Sequence, residues 1–187
     1  MKKITVVFTV AITLIFSGLG FAQSFNELDK VPHDISYYRE SNVMQPLVKV
    51  VYGRPSKNGE EVFGNKVTLG EVWRTGANEA TEVKFYQDVN LGDKEVKAGT
   101  YVLYTVPKEN EWEIILSSNL DVFGAFQYDP MFNVAKIKVP VTNAEELEVF
   151  SIVFKDRNET IEMVLGWDTT RVKIPLQFKN KSQLAKL

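Results

Sequence analysis

The chain has no cysteine and one histidine, His33, in 187 residues. Lack of cysteine removes thiol nucleophiles, disulfides and thiolate metal sites. A single histidine cannot build a multi-histidine zinc centre or a two-histidine iron site. A Ser–His–Asp triad would have to recruit His33 from the segment ahead of the first clear strand, and a packed or solvated imidazole is the simpler reading. No glycine-rich phosphate cradle follows a strand, and no dinucleotide-binding fingerprint occurs. No metal, cofactor or catalytic residue is therefore assigned.

Long apolar runs are also scarce. The one that exists, Ile4 to Phe16, follows Lys2 and Lys3 and precedes Gly20, Ala22 and the polar Gln23. That layout predicts a signal peptide over residues 1–22, cut after Ala22. Thr5, Thr9, Thr13, Ser17 and Gly18 dilute the run, leaving too little to span a bilayer core that needs about 20 apolar residues. The expectation is an exported protein, periplasmic or extracellular, without stable membrane insertion after cleavage. Losing Lys2 and Lys3 leaves 20 basic residues against 24 acidic ones, a net charge of −4. Such a surface has no bulk attraction for nucleic acid or anionic lipid. An oxidising compartment permits disulfides, and this chain uses none, so its core must hold by packing. A mature chain of this size can bury roughly 70% of its unfolded surface, enough for one domain.

From Leu47 onward the dominant signal is alternation. Val83 and Phe85 alternate with Glu82 and Lys84. Ile137, Val139 and Val141 alternate with Lys136, Lys138 and Pro140. Ile161, Met163, Leu165 and Trp167 share one face, as do Val172, Ile174, Leu176 and Phe178. Period two sends apolar side chains to one side of a strand and polar ones to water. Pro175 cannot donate to a ladder and predicts an edge strand. The stretch Thr100–Val106 is apolar on both faces and reads as a central strand. Turns are expected at Gly92-Asp93-Lys94, at residues 108–111 and at residues 156–159; plain turn chemistry explains the last better than calcium does. Asn143 to Leu147 allows at most one helical turn before a strand rich in β-branched and aromatic residues. The fold class is all-β, a single antiparallel sandwich or barrel-like (jelly-roll-like) domain with at most short helical turns. Its expected organisation is a leader over 1–22, an irregular extended segment over 23–46, the β domain over 47–178 and a tail over 179–187.

One stretch is explained poorly by turn or core needs: Val72 to Thr81, with sequence VWRTGANEAT. Arg74 can fork onto a carboxylate or phosphate. Trp73 offers a flat apolar face, and Asn78 and Glu79 supply directed hydrogen bonds. Tyr52-Gly53-Arg54-Pro55 brings a second arginine to the end of a strand. The alternative is a bracing loop in which Trp73 plugs one end of the barrel and Arg74 pairs internally with Glu79.

These segments, with Val62-Phe63-Gly64, Ala98 to Tyr101, Trp112 to Leu116, Gly124-Ala125 and Tyr128-Asp129, resemble the DUF2911 family of exported bacterial proteins of unknown function. The resemblance covers roughly residues 31–176 and implies that the Trp73–Thr81 loop is a family hallmark, while supplying no activity or ligand. Glu60, Phe123 and Lys136 depart from that pattern, where a basic residue, a tryptophan and an arginine are usual.

Three functional readings follow. The first is a module binding a small anionic or sugar-like ligand through Arg54, Trp73, Arg74, Asn78, Glu79, Tyr128 and Asp129. The second is a structural or protein-interaction scaffold of the cell envelope, with the loop as brace. The third is a hydrolase using Glu79 with Asp129 or another carboxylate.

Overall fold

The computed structural model describes residues 27, 29–157 and 160–179. The expected leader therefore lies outside the described residues, as does the tail apart from Lys179. The chain divides into two compact units, Met1–Lys30 and Val31–Leu187, and the sheet belongs to the second. Among the described residues, nine strands run in chain order as β1 (His33–Tyr38), β2 (Val48–Gly53), β3 (Glu82–Phe85), β4 (Val89–Leu91), β5 (Lys94–Val96), β6 (Gly99–Val106), β7 (Glu111–Ser117), β8 (Asn133–Arg157) and β9 (Thr160–Phe178). Every pairing between these strands is antiparallel, in the order β1-β2-β3-β6-β7-β8-β9-β4-β5. The sheet is open, and the fold is all-β.

The two long strands explain how one sheet encloses a core. The first third of β8 pairs with β7, from Asn133 to Pro140, and the remainder pairs with β9, from Val141 to Arg157. The alternating apolar faces then meet. Val83, Phe85, Leu103, Ile114, Ile137, Ile152, Met163, Ile174 and Leu176 lie in one buried cluster. Burial of this kind contributes about 1.5–3 kcal/mol per large apolar side chain before entropy is counted.

β6 is buried on both faces. Tyr101 and Leu103 enter the main core. Val102, Tyr104 and Val106 form a second, smaller cluster with Ala80, Ile115 and Val122, against which Val72 and Tyr128 pack. That second face, the outer face, is covered by the β2–β3 connection and by the segment between β7 and β8.

Where the ladder does not close, side chains and single bridges do. Ser56 bridges Val149, Phe150 N–H donates to Pro55 O at 2.9 Å, and the Tyr38 hydroxyl donates to Asp156.

Two expectations need revision, and the allowance of at most one helical turn over Asn143–Leu147 goes unused. Residues 23–46 are expected to be irregular, yet His33–Tyr38 forms β1, paired antiparallel with β2 along its whole length although Ile35 and Tyr37 face outward. Asn143–Leu147 makes no helical turn: β8 continues through it with register shifts after Asn143 and Leu147, so the extra residues are absorbed as bulges. Strand β9 is not an edge strand. Pro175 instead falls beyond Val172, the last partner from β8, and its carbonyl accepts from Gly92 N–H at 3.1 Å. The expected reversal at Gly92-Asp93 joins β4 to β5, with Gly92 at φ 58°, where glycine carries no steric penalty.

Candidate functional site

The β2–β3 connection carries the sequence signal, and most of it is scaffold. Trp73 N–H donates to Thr105 O at 2.7 Å and Thr105 N–H donates back to Trp73 O at 3.0 Å. This places the Trp73 indole in the main core. It stacks on Trp167 with ring centroids 6.0 Å apart, lies 5.1 Å from Phe150 edge-on, and donates from Nε1 to Gly76 O at 3.1 Å. Thr75, at φ 60° and fully buried, is held by Thr105 Oγ1 at 3.1 Å, while its carbonyl accepts from Thr81 Oγ1 at 2.7 Å. A β-branched residue at positive φ is costly, and this bonding stabilises it there. Asn78, also at φ 60°, donates from Nδ2 to Val31 O at 3.4 Å. The loop presses directly on β2: a Cβ added to Gly53 would lie 2.0 Å from Ala77 O, so only glycine fits.

Arg54 is likewise part of the framework. Its guanidinium donates to Asp34 Oδ2 at 3.0 Å, Phe150 O at 3.2 Å and Ser151 Oγ at 2.9 Å. It thereby fastens β1 to β8 across the opening of the sheet. Tyr52 joins the same network through Asp34 at 3.3 Å and Ile152 N–H at 3.0 Å. Burial is the main cause that raises its phenol pKa.

Arg74 differs from both neighbours. Because Trp73 and Thr105 form a mutual hydrogen-bonded pair, alternation puts Arg74 opposite Tyr104 and on the outer face. The side chain is half-buried, its Nε is sealed from water, and that nitrogen has no partner among the described residues. Burial lowers its pKa and no carboxylate opposes that effect. The internal Arg74–Glu79 pair of a bracing loop is therefore not formed among the described residues.

Two further unpartnered atoms belong to the same face. Among the described residues, the Tyr104 hydroxyl, on a residue 1% exposed, has no hydrogen-bond partner, and neither has Asn133 Oδ1. Tyr128 ties the two together: its ring meets Tyr104 edge-on at 5.1 Å, and its hydroxyl accepts from Asn133 Nδ2 at 2.8 Å. Buried polar atoms without partners are rare and call for a reason. Here a guanidinium and two phenols can donate while one amide oxygen can accept, a combination suited to an anion that also carries a hydroxyl.

Glu79 and Asp129 lie elsewhere. Glu79 is exposed and lines a hollow of about 270 Å3 with His33, Val51, Glu82, Asp121 and Phe123. Asp129 caps the short 3-10 turn Pro130–Phe132, accepting from Met131 N–H at 2.9 Å, and does not line that hollow. The structure joins Tyr128 to Tyr104 and Asn133 on the outer face, alternation from the Trp73–Thr105 bridge assigns Arg74 to that same face, and Arg54 and Trp73 stay in the framework. It adds Tyr104 and Asn133, which sequence reasoning missed. The available signal for Tyr104 was a phenol in a strand apolar on both faces, since a buried tyrosine hydroxyl needs a partner. Asn133 carried no signal.

Among the described residues, no group of three or more potential ligands could hold a metal ion. No described helix is long and apolar enough to cross a membrane. No curated protein and no solved structure matches the chain. A family model, described as a protein of unknown function (DUF2911), matches residues 36–176, most of the chain, and the protein belongs to that family.

Proposed function

We propose that the protein is a binding module for a small anion bearing hydroxyl groups, a sugar acid or hydroxy acid, held on the outer face of β6 against Arg74. We further take it to act outside the cytoplasm, on the strength of the leader-like residues 1–22. The observation that carries the binding reading is the half-buried guanidinium without a counter-charge. Taking a cation partly out of water costs free energy that neighbouring carboxylates normally offset. A ligand carboxylate would supply that offset, forked by the exposed part of Arg74, with the Tyr128 hydroxyl as a neighbouring donor. The rigid β scaffold below would preorganise these groups.

Thermal-shift measurements on the purified protein against sugar acids, hydroxy acids and the matching neutral sugars test the reading. Anions should raise the midpoint in a dose-dependent way, neutral sugars should not, and Arg74→Met should abolish the shift. A ligand-induced shift unchanged in Arg74→Met, or no shift with any anion, would remove the proposal.

A further inference from the structure

The segment between β7 and β8 presents apolar side chains to water on a backbone that is held in place. Phe123 is 57% exposed, Phe126 81% and Met131 83%, with Leu120 and Phe132 also exposed. Scattered exposed apolar residues are ordinary, whereas this many within one short segment is the pattern of an interaction surface. The segment is tied at both ends and within. Ser118 N–H donates to Phe132 O at 2.9 Å, Ala80 N–H donates to Val122 O at 3.2 Å, and Phe123 N–H donates to Gln127 Oε1 at 2.7 Å. The apolar side chains are thus offered in a preorganised form, which lowers the entropy cost of binding.

Charge says what would sit there. From Lys108 to Lys136 the sequence contains no intervening lysine or arginine, yet it carries Asp121 and Asp129 within the exposed segment. Beside Phe123 the hollow of about 270 Å3 has Glu79, Glu82 and Asp121 in its lining, with Val51 and Val122 as apolar wall. An acidic recess next to exposed aromatic rings complements a cation on an apolar stem, and the rings can add cation–π attraction.

We propose that this rim docks a segment of a partner polypeptide in which lysine or arginine is flanked by apolar residues. The cationic end enters the hollow among Glu79, Glu82 and Asp121, and the apolar neighbours cover Phe123 and Phe126. The proposal is independent of ligand binding at Arg74.

An array of randomised short peptides probed with the purified protein tests it, with fluorescence anisotropy on the strongest binders. Bound peptides should be enriched in lysine or arginine next to leucine or phenylalanine. Affinity should fall at least about tenfold in Phe123→Ser/Phe126→Ser and several-fold in Asp121→Asn, and it should weaken with added salt. Arg74→Met should bind as the wild type does. The substituted side chains are exposed, and asparagine tolerates the positive φ of Asp121 (56°), so folding should be retained, which circular dichroism checks. Enrichment of acidic or purely apolar peptides, no enrichment, or unchanged affinity in the variants would overturn the proposal. So would sedimentation showing that wild-type protein self-associates through this rim and the phenylalanine variant does not.

Discussion

Arg54 and Arg74 bracket the same connection between β2 and β3, and they meet opposite fates. Arg54 spends its guanidinium on Asp34, Phe150 O and Ser151 and fastens β1 to β8. Arg74, turned to the outer face, has among the described residues a buried Nε without a partner and no carboxylate to oppose its desolvation. A charge with its partners in place is explained by the fold. A charge left short of partners in an otherwise well-bonded loop costs stability, and binding is the reason proposed here for keeping it.

The largest expected effect lies on the framework side of the comparison. Trp73→Ala should cost about 3–5 kcal/mol, because it empties the centre of an aromatic cluster. Urea unfolding checks this, and a loss below about 1 kcal/mol would mean the indole is not part of the core. Arg54→Ala should cost about 1–2 kcal/mol, the lower range for bonds to a charged group, since the pair with Asp34 is partly exposed. Combined with Asp34→Ala it should be less than additive in a double-mutant cycle. Arg74→Met should behave oppositely, leaving unliganded stability unchanged or raising it by up to about 1 kcal/mol. A loss matching that of Arg54→Ala would show that Arg74 is a brace.

The smallest effect concerns another charge that has its partners. Lys136, first, and Lys108 hold the Glu113 carboxyl below its usual pKa. A depressed folded pKa gives stability that is complete above the unfolded carboxylate value and disappears as pH falls through the folded one. Glu113→Gln should therefore flatten the acid limb of a stability profile taken between about pH 7 and pH 3. An unchanged limb would show that the pair contributes nothing.

The sheet was legible because period two is a local property: the faces of β3, β6, β8 and β9 follow from which residues are apolar. Loop side chains were not legible in that way. Arg54 finds Phe150 and Ser151 at sequence separations of 96 and 97, pairs that no local pattern encodes. Trp73 and Arg74 go to opposite faces only because Trp73 pairs with Thr105, and positive φ at Thr75 and Asn78 then ends the alternation. The family departures show the same limit. Glu60 pairs with Lys66 and Lys136 with Glu113, which are surface arrangements, whereas Phe123 lines the acidic hollow.

The contrast between the two arginines is most directly tested by arginine Nε–H nuclear magnetic resonance during titration with glucuronate. The Arg74 resonance should move in a saturable way while that of Arg54 stays still, and glucose should move neither. A stationary Arg74 resonance, or equal movement of both, would contradict the assignment of spare binding capacity to Arg74.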